Sequence, residues 1–174
     1  DTLFAASATP FEWHSDMRSV QWSKLLLNLN NPINALSGLP LKEELSQRHY
    51  RRCLARLQLE ALAAIRQADI PLQRLTAVPP RWLPRVLDTP DWLFTKIAQP
   101  MLAMDPLARS SMWEDLERGR RTEIDWLNGE VVRLAAQQGT QASANSRVLD
   151  LVKKAEQGGR RDNSGEELWA LLSD

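Results

Sequence analysis

The chain of 174 residues has one cysteine, Cys53, and two histidines, His14 and His49. An internal disulfide is therefore excluded, and a reducing cytoplasm is the simplest setting. A nucleophilic Cys53 would need a nearby base, so buried packing is the expected role despite the neighbouring Arg51, Arg52 and Arg56. No ligand spacing links the histidines, so no metal site is expected. The seven glycines include no G-x-G-x-x-G loop between a strand and a helix, which leaves the chain without a dinucleotide phosphate cradle. Runs of β-branched residues of strand length are scarce. No apolar run approaches the ~20 residues needed to span a bilayer, and the opening residues lack the pattern of a signal peptide. An excess of one charge is also missing: 22 Lys plus Arg balance 22 Asp plus Glu, so no net field argues for nucleic acid or an acidic membrane. The pairs Arg51-Arg52, Arg120-Arg121 and Arg160-Arg161 read as solvated helix ends or loops.

Helical periodicity is what the sequence does contain, and an all-α fold follows: an irregular bundle of roughly six to eight helices. Residues 1–15 read as an irregular lead-in. Asp16 is placed to cap a helix from Met17 to about Asn30. That helix is apolar on most sides, which sets Lys24 and Asn28, one turn apart, inside the protein or at its rim. Asn31 precedes Pro32 and is expected to leave helical geometry and end the helix. The longest helix is expected from Leu41 to about Gln67. A proline-rich stretch then leads to Thr89-Pro90, which opens a helix with Trp92, Leu93 and Ile97 buried. Gly139 marks a helix end, and Asn145 or Ser146 starts the last full helix. A helical domain over 1–156 is expected, followed by a mobile linker and short terminal helix over 157–174. That last helix could dock on its own domain, on a partner or on nothing.

The stretch SSMWEDLERGRRTEIDWLNG, Ser110 to Gly129, reads as two helical turns, a break at Gly119 and a second helix to about Gln138. Ile124, Leu127, Val131 and Leu134 recur every three or four residues and form an apolar stripe. Glu123 lies at the start of that helix, where free N–H groups favour a carboxylate. Gly129 falls within it and suggests a close backbone approach. Ser111 precedes a helix whose N–H groups could hold an anion, although a plain capping serine fits the residue equally well.

Two motifs in this chain, S-S-M-x-x-D plus G-R-x-T-E-I-D-x-x-N-G and, upstream, W-x-K-L-L-x-N-x-x-N-P-x-x-A-L from Trp22 to Leu36, occur in the order of a known family. Together they resemble the C-terminal domain of ketopantoate reductases (2-dehydropantoate 2-reductases), a helical domain of the 6-phosphogluconate dehydrogenase-like reductases. The resemblance covers the chain from about Phe11 to Glu156.

The resemblance implies an NADPH-dependent reduction of ketopantoate to pantoate, on the way to pantothenate and coenzyme A. It makes Lys24 the general acid and Glu123 the residue that orients the substrate, with Asn28, Asn31 and Ser111 as substrate contacts. Asn30 stands beside Asn31 and could take its role. The implied partners are a 2-oxo acid, an N-terminal nucleotide-binding domain that holds most of the cofactor, and a second copy in a homodimer. Leu39, Pro40 and Leu41 replace a polar substrate contact of some members, which leaves the identity of the 2-oxo acid open. A reductase for a different 2-oxo acid and a non-catalytic helical dimerisation module are the alternatives.

Overall fold

The computed structural model describes residues 16–103 and 105–173. The lead-in expected over 1–15, with His14, lies outside the described residues. Among the described residues the chain forms eleven α-helices, two short 3-10 turns and no strand. The helices are α1 (Met17–Asn28), α2 (Asn30–Ser37), α3 (Leu41–Ser46), α4 (Arg48–Gln67), α5 (Leu83–Leu87) and α6 (Asp91–Ile97). They continue with α7 (Gln99–Leu102), α8 (Ser111–Glu117), α9 (Asn128–Gln137), α10 (Ser143–Glu156) and α11 (Gly165–Ser173).

The all-α bundle is built around α4, which packs against α1, α2, α3, α5, α9, α10 and α11. Its apolar residues recur at three and four positions, so Cys53, Leu57, Ala61 and Ala64 fall on one buried stripe. Small residues at three of those positions let the neighbouring helices approach closely. Burial pushes the Cys53 thiol up to about 12, so it packs as a small hydrophobe rather than acting as a nucleophile.

Several expected helices are divided. The chain turns at Leu29 and restarts as α2, with Asn31 in helical geometry and Pro32 in the first turn. Proline is tolerated there because the first N–H groups of a helix have no intrahelical acceptor. The expected exit of Asn31 from helical geometry is thus corrected. The long helix is split at Gln47, whose backbone is extended (φ −101°, ψ 122°). Ser46 Oγ donates back to Lys42 O at 2.6 Å, a local bond that competes with helix continuation. On α6, Phe94 and Ala98 face inward, whereas Trp92 and Ile97, expected to be buried, are exposed. Trp92 and Phe94, two residues apart, point to nearly opposite sides of the helix, and the inner face runs through 94 and 98.

The segment after α10 is tied to the bundle. Asn163 donates from its backbone N–H and its side chain to Leu36 O, both at 3.0 Å, and Tyr50 Oη donates to Asn163 O at 2.9 Å. Of the three places open to the terminal helix, α11 takes its own domain and lies on α4. A Cβ on Gly165 would stand 2.8 Å from His49 Cβ, so only glycine allows this approach.

Candidate functional site

Lys24 projects from α1 because the opposite side of that helix is fixed. Asp16 accepts from Ser19 N at 3.1 Å, and Ser23 Oγ both donates to Ser19 O and accepts from Gln73 N, each at 2.8 Å. Gln58 on α4 donates to Leu26 O at 3.1 Å, and the Leu26 side chain is fully buried. Lys24 is left exposed and Asn28, one turn later, half-buried. Of the two positions open to Lys24, inside or at the rim, it takes the rim. Both residues line an open groove of about 630 Å³ between α1 and α9, together with Arg18, Trp22, Trp126 and Arg133.

Glu123 is held from the other end of the chain. Thr122 donates to Glu156 Oε1 on α10 from both its backbone N (2.9 Å) and its Oγ1 (2.7 Å), while Ile124 is fully buried. The exposed Glu123 side chain stands between these anchors. It precedes a 3-10 turn (Ile124–Trp126), and α9 begins only at Asn128 after a bend at Leu127. The expected place at the N-terminus of a long helix is thus corrected. The stripe itself is buried as expected, with Ile124, Leu127, Val131 and Leu134 at most 5% exposed.

The two ends meet at Asn31. Its Nδ2 lies 3.5 Å from Glu123 Oε1, at the outer limit of a hydrogen bond. Asn30 faces the other way and donates inward to Glu44 Oε2 at 3.2 Å, so Asn31 is the asparagine on the outer side. Ser110, not Ser111, caps α8: its Oγ accepts from Trp113 N and contacts Asn31 O, both at 3.2 Å. Ser111 is the first residue of α8, and its side chain is exposed beside this junction. Lys24 and Asn28 thus line one groove; Asn31 and Glu123 contact each other but do not line it, and Ser111 follows Ser110, whose Oγ donates to Asn31 O. Lys24 does not touch Glu123.

The rest of the downstream motif is occupied in holding the fold. Asp125 pairs with Lys153, and Asn128 Nδ2 donates to Asn145 Oδ1 at 3.0 Å. Asn145 Nδ2 donates in turn to Leu57 O and Glu60, joining α9 and α10 to α4. The close backbone approach expected at Gly129 is corrected: a Cβ there would stand 3.6 Å from Ile124 O, an ordinary contact. Of T-E-I-D-W, Glu123 and Trp126 are the exposed residues. Among the described residues no cluster of His, Cys, Asp or Glu could hold a metal ion, and no helix is long and apolar enough to cross a membrane.

Sequence reasoning missed the buried polar layer beneath this surface. Glu44 on α3 is fully buried, Asn34 Nδ2 donates to its Oε2 at 3.2 Å, and Asn34 Oδ1 accepts from Ser110 N at 2.9 Å. The only signal was a glutamate next to an apolar residue in a short helical stretch, and a solvated face gives the same pattern.

The chain belongs to the family described as ketopantoate reductase PanE/ApbA C terminal, whose model matches residues 16–156. It is 28% identical over 156 residues to a 2-dehydropantoate 2-reductase of Shigella flexneri, covering 88% of this chain and 44% of that protein. A 2-dehydropantoate 2-reductase of Archaeoglobus fulgidus is 44% identical over 50 residues, 29% of this chain and 17% of that protein. The crystal structure of a PanE/ApbA family ketopantoate reductase from Ralstonia eutropha JMP134 superposes with a TM-score of 0.70 at 27% identity, over 90% of this chain and 47% of that one. The chain therefore spans less than half the length of these relatives.

Proposed function

We propose that this chain is the substrate-binding and catalytic half of an NADPH-dependent reductase that converts ketopantoate to pantoate. The observation that supports this reading is the contact of Asn31 with Glu123, each three residues along the chain from a residue (Asn28, Trp126) that lines the groove with Lys24. Family membership supplies the reaction class, since the matching relatives are named 2-dehydropantoate 2-reductase.

A nicotinamide cofactor, when bound, would supply the hydride that the carbonyl carbon of the 2-oxo acid needs. No described residue forms a phosphate cradle, so an N-terminal nucleotide-binding domain is expected to hold most of the cofactor. As the carbonyl π pair moves onto oxygen, the Lys24 ammonium stabilises the developing charge and transfers a proton to it. The resulting amine regains its proton from water. Asn28 and Asn31 offer amide donors and acceptors to the substrate's polar groups, and the Ser111 hydroxyl is available at the same edge. Glu123 accepts from substrate hydroxyl or from Asn31 and so fixes the orientation.

An NADPH oxidation assay with ketopantoate tests the reading. The chain joined to a nucleotide-binding domain should turn over, and the chain alone should not. Turnover by the 174 residues alone, or none by the joined protein, would contradict it. A panel of other 2-oxo acids in the same assay distinguishes ketopantoate from a relative with a different side chain.

A further inference from the structure

We propose that Glu44 is carried at neutral pH as an un-ionised acid in a reciprocal pair with the Asn30 amide, and that this buried pair positions Asn31 and Ser111. The second half of the proposal rests on the functional reading above; the first half does not.

Asn30 Nδ2 and Asn34 Nδ2 both donate to the same Glu44 oxygen, Oε2, at 3.2 Å. The other oxygen, Oε1, is buried without a donor, and so is Asn30 Oδ1. A buried acceptor left unpaired is costly, and here two belong to one interacting pair of groups. One proton resolves both: Oε1–H donates to Asn30 Oδ1 while Asn30 Nδ2–H donates to Oε2. Burial acts in the same direction and pushes the Glu44 carboxyl up to about 8, outweighing the two amides.

The surroundings offer this carboxyl no counter-charge. Among the described residues no cation is ion-paired with it, and Arg51 on α4 is taken by Asp91 and the carbonyls of Leu45, Leu87 and Thr89. The titratable groups that interact with it from α4 are Tyr50 and Cys53, both pushed up to about 12, by burial first and Glu44 next. Glu43, its neighbour on α3, is exposed, and α2 contains no titratable residue. From α8 the contact runs through Ser110 N, held by Asn34.

The positioning role follows from adjacency. Asn30 precedes Asn31, and holding the Asn30 amide inward sets the turn on which Asn31 faces outward. Asn34 bonds Glu44, Leu39 O and Ser110 N together, and Ser110 precedes Ser111. One side chain thereby fixes α2 against the start of α8.

Because the folded value lies above the ordinary one of 4.5, the folded chain keeps a proton that the unfolded chain has released. The stabilisation is complete below about 4.5 and is lost as pH rises to about 8. The test compares wild type with Glu44→Gln in this chain, since a glutamine amide reproduces the donor and acceptor of the neutral acid. The Tm of the wild type should fall relative to E44Q by more than about 5 °C between pH 4.5 and 9, with the two closest together at the acid end. A gap that does not change with pH, or an E44Q chain already less stable at the acid end, overturns the proton assignment. If E44Q does not fold, carboxyl-labelled glutamate in the wild type decides by NMR. One resonance at the un-ionised position at pH 7 supports the assignment, and carboxylates alone overturn it. In the joined two-domain enzyme, E44Q should keep KM near wild type while Glu44→Ala raises it more than about tenfold with a smaller change in kcat. Equal KM values for both variants remove the positioning role, whereas absence of turnover in the wild type counts against the functional reading and leaves the proton result intact.

Discussion

Asn31 and Glu123 are 92 positions apart in sequence, yet their side chains stand 3.5 Å apart. Asn31 is held on α2 above the buried amides of Asn30 and Asn34, and Glu123 hangs between the Thr122–Glu156 tie and the buried Ile124. Neither side chain is needed to fill the core beneath, so their approach is a surface property imposed by two independently anchored backbones.

If that pair holds a substrate, Asn31→Ala and Glu123→Gln in the joined two-domain enzyme should each lower kcat/KM by about 10–100-fold, equivalent to roughly 1.4–2.7 kcal/mol of lost transition-state binding. The double variant should lose less than the product of the two, because the residues act on one another. Steady-state kinetics on the four proteins measures this. Effects that multiply without coupling would mean that the contact has no part in catalysis.

Arg51 should dominate the stability of the region below α6. Its guanidinium is fully buried, donates to Leu45 O, Leu87 O and Thr89 O at 2.8–3.0 Å, pairs with Asp91 and lies 4.1 Å from the Phe94 ring centre. Arg51→Ala leaves three carbonyls without this donor, and the expected loss is about 3–5 kcal/mol by urea unfolding. Arg51→Lys should recover less than half, because an ammonium cannot reproduce the planar fork. A loss below about 1 kcal/mol would show that water replaces the guanidinium.

The all-α architecture was legible because apolar residues recur every three to four positions along the chain, and the stripes at Ile124, Leu127, Val131 and Leu134 are buried where that spacing put them. Breaks within helices were not legible. The split at Gln47 has no proline or glycine, and Pro32 reads as a stop until α2 is seen to restart around it. Trp92 shows the limit of composition: a large aromatic looks like core, yet it is 66% exposed because Phe94 takes the inward position two residues later. The candidate site was legible only through its motifs, since a lysine, asparagines and a glutamate give no periodic signal. Glu44 was missed for the converse reason, because a buried acid is recognisable only from the partners that surround it.

The account depends most on Lys24 as the proton donor at the groove, and the kcat of Lys24→Ala in the joined two-domain enzyme tests that directly. A general acid at this position should show a loss of about 10²–10⁴-fold with little change in Tm, since the side chain is exposed and outside the core. A loss smaller than about threefold would contradict the account and leave Lys24 as a solvated residue on a helical scaffold.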